Sequence, residues 1–296
     1  MAGSADWQSG FIAVDWGTTN RRAWGVAADG EVRDLLEDSM GVLKVAPGGY
    51  TGEVDRLRAL WPGRPLLMGG MVGSNRGWVE ARYAPAPADL DALVSALRRP
   101  APDAVIVPGV SWRDGREADV MRGEETQILG AVAAGAIPAT SSVCHPGTHA
   151  KWAKVEAGAI GRFRSVMTGE LFSMLGRHGI LQDRLSGTAT ANDDFRAGVS
   201  HGLENCDLTA ELFSIRARFL LGIEEDSASY ASGLLIGTDV KIGLGVVADG
   251  PVALIGRPDL TALYAEALRL AGRESTQLDG EAAFIMGAKA IAERLA

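Results

Sequence analysis

Residues 11–24 read Phe-Ile-Ala-Val-Asp-Trp-Gly-Thr-Thr-Asn-Arg-Arg-Ala-Trp and carry the signature of a strand, a tight turn and a returning strand. An apolar run ends at Asp15, Gly17 permits a tight turn, and Arg22–Ala28 returns as a second strand. Asp29-Gly30 then signals a further hairpin before Glu31–Leu36. Main-chain amides at Gly17 and the hydroxyls of Thr18 and Thr19 can grip a phosphate in such a turn, while Asp15 holds a magnesium ion through water. Taken alone, Asp15 to Asn20 also describe a plain hairpin in which Asp and Gly serve only the turn.

A second stretch changes the balance. Ser141–His145 reads as a strand, Pro146-Gly147-Thr148 as a turn and Lys151–Val155 as a second strand; Gly158 turns the chain into Ile160–Met167. The strand-turn-strand-turn-strand pattern therefore recurs about 130 residues after the first. Gly147 and Thr148 repeat the Gly-Thr pair, with His149 and Lys151 close behind. Singly, these two would read as a turn histidine and a solvated charge; in a repeated hairpin they suit a second phosphate grip.

Between the repeats, Pro65–Gly70 and Ala104–Pro108 read as strands, and Gly123 to Ala136 as a helix that Pro138 ends. Ala84–Ala88 reads as an ordinary surface loop. Helices are expected over Leu171–Leu181, Asn192–Glu204, Asp207–Leu221 and Glu225–Val240. A strand at Val252–Ile255, a helix at Leu260–Ala271 and a closing helix at Glu281–Leu295 complete the chain.

With 296 residues the chain is too long for one comfortable core, so two domains or one large α/β unit are expected. Lys plus Arg is 29 against 37 Asp plus Glu, and the resulting −8 argues against a protein built to coat nucleic acid or an anionic membrane. Cys144 and Cys206 form no metal-ligand or disulfide pattern, which fits a reducing cytoplasm. The N-terminus lacks the basic and apolar regions of a signal peptide. The uncharged Thr126–Ala150 stretch is too interrupted by Gly and Pro to span a bilayer, and reads as a buried helix followed by a strand.

Three further segments can carry chemistry. Glu124 and Glu125 follow Gly123 at the start of a helix, where paired carboxylates ordinarily complement the helix N-terminus; one of them could instead serve as a general base. Gly69 to Trp78 looks too glycine-rich for a core element, and Ser74 and Asn75 could bind a small polar substrate, with Arg76 offering carboxylate recognition. Arg164, Thr168, Gly169 and Glu170 mark another strand-to-helix position suited to a ligand. Ser229–Val240 has helical apolar spacing and reads as core, Gly233 and Gly237 allowing a close neighbour or nucleotide. The chain has no P-loop, no Rossmann GxGxxG, no HExxH and no GxSxG elbow, so bound ATP would lie on a different device.

The paired hairpins resemble the actin/hexokinase/Hsp70 superfamily. More closely, the segments 11–24, 68–78 (MGGMVGSNRGW), 107–110 (VPGV), 119–131 (DVMRGEETQILGA), 146–152 (PGTHAKW), 163–175 (FRSVMTGELFSML), 213–217 (FSIRA) and 233–240 (GLLIGTDV) resemble the 2-dehydro-3-deoxygalactonokinase family, in that order and over nearly the whole chain. The resemblance implies two actin-like, ribonuclease-H-like α/β domains with mixed sheets, flanking an ATP cleft. Residues 1–137, rejoined by the helix 281–296, would carry the substrate side and the first phosphate hairpin. Residues 138–280 would carry the second hairpin and the nucleotide side.

It further implies transfer of the ATP γ-phosphate to the 6-hydroxyl of a 2-dehydro-3-deoxy sugar acid, with ATP and Mg2+ as cofactors, in the cytoplasm. No nucleic-acid or membrane partner is expected, and a homodimer is compatible with such a chain. Asp15, Gly17, Thr18 and Thr19 would form one phosphate site and Gly147, Thr148 and Lys151 the other. The Gly-x-Glu-Glu element of exopolyphosphatases selects Glu124 as the base, leaving Asn20, Arg22, Ser74, Asn75 and Glu125 on the substrate side. Arg257 stands where the pattern leads us to expect a small residue. Two other readings compete with the kinase: a phosphohydrolase of the polyphosphatase kind, which would favour a more basic surface, and a non-catalytic nucleotide-dependent binding module.

Overall fold

The structure is a computed structural model, and it describes residues 5–204, 207–223 and 226–296. Cys206 and the expected helix start at Glu225 lie outside the described residues. The chain divides into two compact units. Unit 1 comprises residues 1–139, 156–161 and 281–296, and unit 2 residues 140–155 and 162–280.

In unit 1, β1 (Gly10–Trp16), β2 (Arg21–Ala27) and β3 (Val32–Asp38) form the expected meander. α1 (Tyr50–Leu60) leads to β4 (Leu66–Gly70), and the tiny β5 (Ala84–Pro85) precedes α2 (Leu90–Ser95). Next come β6 (Arg98–Ala101), β7 (Ala104–Ile106), β8 (Val110–Asp114), β9 (Glu117–Met121) and α3 (Glu124–Ala133). The main sheet has the order β3-β2-β1-β4-β7-β6, with β1 antiparallel to β2 and parallel to β4. β5, β8 and β9 make a second, three-stranded sheet.

In unit 2, β10 (Ser141–His145), β11 (Ala150–Glu156) and β12 (Ala159–Val166) repeat the meander, the tip 156–161 being counted with unit 1. Helices α4 (Thr168–Arg177), α5 (Asp193–Glu204), α6 (Leu208–Leu220) and α7 (Ser227–Leu244) follow. The chain then forms β13 (Val252–Gly256), α8 (Pro258–Leu270) and β14 (Ser275–Asp279), and α9 (Gly280–Glu293) returns to unit 1. The sheet order β12-β11-β10-β13-β14 has the same plan as β3-β2-β1-β4-β7, including the antiparallel and parallel pairings of the central strand. The repeat seen in the sequence is therefore a repeat of topology.

Burial explains why the central strands are apolar. Ile12, Val14 and Trp16 of β1 pack with Val54 and Leu57 of α1 and with Leu66 and Met68 of β4. Each such side chain contributes about 1.5–3 kcal/mol by leaving water. In unit 2, Cys144, Trp152 and Leu254 of the sheet pack under Phe195, Val199, Ile236 and Val240. The helix pair α5/α7 closes backbone to backbone: a Cβ on Gly233 would stand 2.1 Å from the Phe195 carbonyl oxygen, and one on Gly237 2.4 Å from that of Val199. The close neighbour of Gly233 and Gly237 is thus α5.

Two expectations fail. Gly69 and Gly70 belong to the wholly buried β4, so the glycine-rich segment begins as core. The reason lies in packing, since a Cβ on Gly69 would meet the Phe284 ring of α9 at 2.8 Å. Ala84–Ala88 is no ordinary surface loop either. Ala84 and Ala88 are buried, β5 pairs with β8, and Ala88 exchanges main-chain hydrogen bonds of 3.0 and 2.8 Å with Ile160.

Candidate functional site

Unit 1 assembles its polar groups at the C-terminal ends of β1 and β4, where parallel strands of α/β sheets commonly present ligand sites. β1 delivers Asp15 with Gly69 in register on one side and Arg22 opposite on the other. Gly70, at φ 84°, comes so close that a Cβ there would lie 2.9 Å from the Trp16 carbonyl oxygen and 3.3 Å from Asp15 Oδ1. Gly123, at φ 111°, follows: its Cβ would stand 3.5 Å from the Gly70 Cα. Two left-handed glycines thus keep the ground beside Asp15 free of side chains at the point where α3 begins.

The carboxylates differ in their surroundings. Glu124 keeps some surface and its Oε2 accepts the Arg122 N–H at 3.0 Å. Glu125 is completely buried; its Oε2 accepts the Gly123 N–H at 2.7 Å and its Oε1 the Thr126 hydroxyl at 3.2 Å. Burial, reinforced by the charge of Glu124, pushes the Glu125 carboxyl up to about 8. Burial also raises Asp15 to about 6; Arg22 opposes the shift, and Glu124 and Glu281 add to it. The expectation that Glu125 touches the substrate does not survive a side chain with no surface, and its oxygens instead brace the Gly123 turn.

The first hairpin is held rigidly. Gly17 donates to the Asn20 carbonyl at 2.9 Å, and the amides of Gly41, Val42 and Leu43 donate to the carbonyls of Thr19, Gly17 and Thr18 at 3.1, 3.0 and 3.3 Å. A Cβ on Gly41 would lie 2.3 Å from the Thr19 carbonyl carbon. Thr18, Thr19 and Asn20 keep their side chains exposed. Arg22 divides its guanidinium between Glu37 at 3.1 Å and Glu281 at 3.2 Å. Ser74 is buried, its hydroxyl accepting the Arg76 N–H at 3.2 Å, whereas Asn75 is exposed.

Unit 2 holds its hairpin from another direction. A Cβ on Gly169 would stand 2.5 Å from the Gly147 carbonyl oxygen, and the Glu170 N–H donates to the Thr148 carbonyl at 2.9 Å. The start of α4 therefore clamps the turn, and the His149 ring pairs with the Glu170 carboxylate. Thr148 is exposed; Lys151, in register with His145 across β10 and β11, is buried rather than a solvated charge.

Beside this turn lies a cavity of about 250 Å3 with mostly apolar walls, reached by Gly147, Gly169, Phe172, Leu235, Leu263 and Tyr264. At its edge Arg257 forms an ion pair of 2.7 Å with Asp259. Sequence reasoning singled out Gly147, Thr168, Gly169 and Arg257 here and allowed a nucleotide beside Gly233 and Gly237 of α7, but it missed the apolar walls that Leu235 of α7 and Leu263 of α8 supply. Apolar positions on core helices carry no motif, and only the packing shows that some of them face a cavity. Among the described residues no three or more His, Cys, Asp or Glu cluster to hold a metal, and no helix is long and apolar enough to cross a membrane.

Two α/β units of one topology, each with a glycine turn after its central strand, define the class as the actin-like ATPase fold. The activator of the 2-hydroxyisocaproyl-CoA dehydratase from Clostridium difficile, solved with ADPNP, shares that fold at TM-score 0.53 and 11% identity, over 97% of this chain and 95% of the other. The family model of 2-keto-3-deoxy-galactonokinase matches residues 15–291, and the chain belongs to that family. It is 34% identical over 291 residues to the 2-dehydro-3-deoxygalactonokinase of Escherichia coli (strain K12), covering 97% of this chain and 98% of the relative. A crystal structure from Sinorhizobium meliloti assigned the same activity superimposes at TM-score 0.90, with 35% identity over 96% of this chain and 99% of that one. The chain is accordingly a sugar kinase, a phosphotransferase.

Proposed function

We propose that the protein transfers the γ-phosphoryl group of ATP to the 6-hydroxyl of 2-dehydro-3-deoxy-D-galactonate, in galactonate catabolism. The observation that carries the residue assignments is that Gly70 and Gly123 lie together beside Asp15, at the start of α3, where the charge of Glu124 acts on Asp15. Glu124 accepts the proton of the acceptor hydroxyl as the phosphorus–oxygen bond forms, a role that requires a carboxylate with surface. Glu125 fixes the Gly123 turn that aims Glu124. Asn20 and Asn75 offer exposed amides to the acceptor, and Arg22 faces Asp15.

Gly17, Thr18 and Thr19 present one phosphate turn in unit 1; Gly147, Thr148 and Lys151 present the other in unit 2, whose cavity receives the nucleoside. Among the described residues no multi-carboxylate cage surrounds Asp15, and a site with few protein carboxylates suits Mg2+, which is usually held by one or two carboxylates together with phosphates and water. Asp15 would hold that ion, which when bound would supply positive charge against the phosphates. The proposed domains are residues 1–137 with 281–296, for the acceptor, and 138–280, for the nucleotide.

A coupled ADP-release assay tests the reading, with the galactonate- and gluconate-derived keto acids offered side by side. ADP release that requires the galactonate-derived acceptor supports it. Phosphate release without acceptor would mean a phosphohydrolase, and no turnover a binding module.

A further inference from the structure

Beneath the unit 2 cavity sits a carboxylate that the proposed reaction does not use. Asp239, in α7, has no exposed surface. Its Oδ1 accepts the Trp152 indole N–H at 2.6 Å, and its Oδ2 accepts the Thr168 hydroxyl at 2.5 Å and the Tyr264 hydroxyl. One buried side chain thus joins α7, β11, the first residue of α4 and α8, and it does so through neutral donors. Two of those donors, Thr168 and Tyr264, line the cavity.

A carboxylate can only accept, so each hydroxyl must point its proton at Asp239. What remains on both oxygens is lone pairs. Burial raises Asp239 to about 6 against its three hydrogen bonds, which leaves it ionised at neutral pH. Burial and the neighbouring carboxylate push the Tyr264 phenol well up, so it keeps its proton.

We infer that Asp239 is a positioning residue that sets the hydrogen-bond polarity of this cavity, making Thr168 and Tyr264 acceptors for a donor group of the bound nucleoside, either the exocyclic amine of its base or a ribose hydroxyl. The inference rests on the reading that the cavity takes the nucleoside. Asparagine at 239 would offer one acceptor and one amide donor. Because the Trp152 indole can only donate, the amide oxygen would stay on its side and the amide nitrogen would take the place of Oδ2, so that both hydroxyls face a donor and swing their own protons toward the ligand.

The test measures equilibrium binding of ATP, ITP and 2′-deoxy-ATP to the full chain by calorimetry. ITP replaces the amine by a carbonyl acceptor, and 2′-deoxy-ATP removes one ribose hydroxyl. The wild type is expected to favour ATP over one of the two analogues, and Asp239→Asn to shrink that ratio about 3- to 10-fold, the range of one hydrogen bond. A merely structural role would weaken all three nucleotides alike, and unchanged ratios in a variant that still binds ATP overturn the inference, as does a wild type without preference. Should Asp239→Asn not fold, Tyr264→Phe and Thr168→Val each delete one acceptor; neither altering a ratio has the same meaning. Leu263→Trp fills the cavity and separates the two levels: if ATP binds it as tightly as wild type, the nucleoside placement itself falls.

Discussion

The two units share a strand plan yet arm it differently. Where the end of β1 carries Asp15, beside Gly70 and close to the carboxylates that open α3, β10 ends in His145 and leads to Gly147, which lines an apolar cavity. The unit 1 turn is pinned by main-chain bonds from Gly41 to Leu43, and the unit 2 turn by the first residues of α4. One plan has been equipped once with charge and once with shape. The fold supplies two glycine turns, and the chemistry follows from what packs against each.

The largest effect is expected at the charged end of unit 1. Glu124→Gln is expected to lower kcat by roughly 10²–10⁴-fold, the usual range for a lost general base, with ATP affinity nearly unchanged. Glu125→Gln should cost far less in turnover, because that side chain braces a turn rather than meeting substrate. Steady-state kinetics on the pair decides it: if Glu125→Gln is the crippled variant, the base is one residue further on.

The two glycine clamps should give a smaller effect that differs between the units. Gly169→Ala drives a methyl into the Gly147 carbonyl, and Gly41→Ala one into the Thr19 carbonyl carbon, at 2.5 and 2.3 Å before relaxation. Overpacking of this kind typically costs about 1–3 kcal/mol. Adenosine binding, read by calorimetry, should weaken about tenfold in Gly169→Ala, whereas Gly41→Ala should bind adenosine normally and turn over more slowly. Equal loss of adenosine affinity in both would mean that the units are not specialised.

Much of this contrast was legible in the sequence because both hairpins write their geometry in residue types. Asp, Gly and Thr at a strand end are a local code, and so is Gly before Glu-Glu at a helix start. What stayed hidden is what depends on packing between distant segments. α1 escaped because only Tyr50, Val54 and Leu57 face the core and Gly52 interrupts the pattern. β14, with no fully buried residue, pairs on one side only, so it lacks an apolar signature. Glu124 and Glu125 look equivalent as letters; burial alone distinguishes them. The cavity showed in the sequence only through Gly147, Thr168, Gly169 and Arg257, and its apolar walls had no letters at all.

That distinction between the two glutamates supplies the smallest and most specific expectation. Glu125 holds its proton up to about pH 8 in the folded chain, whereas the unfolded chain releases it near the ordinary 4.5. The folded state therefore binds the extra proton between those values, and stability contributed by this group is complete below pH 4.5 and drains away as pH rises toward 8. The slope is at most about 1.4 kcal/mol per pH unit. Glu125→Gln keeps the shape and the acceptor oxygen for the Gly123 amide but has no proton to lose. Its melting temperature should consequently fall less between pH 6 and 8.5 than that of the wild type, while Glu124→Gln, whose carboxylate already meets solvent, should track the wild-type curve more closely. Parallel curves for Glu125→Gln and wild type would mean that Glu125 is ionised in the fold, and the structural difference between the two carboxylates would lose its energetic meaning.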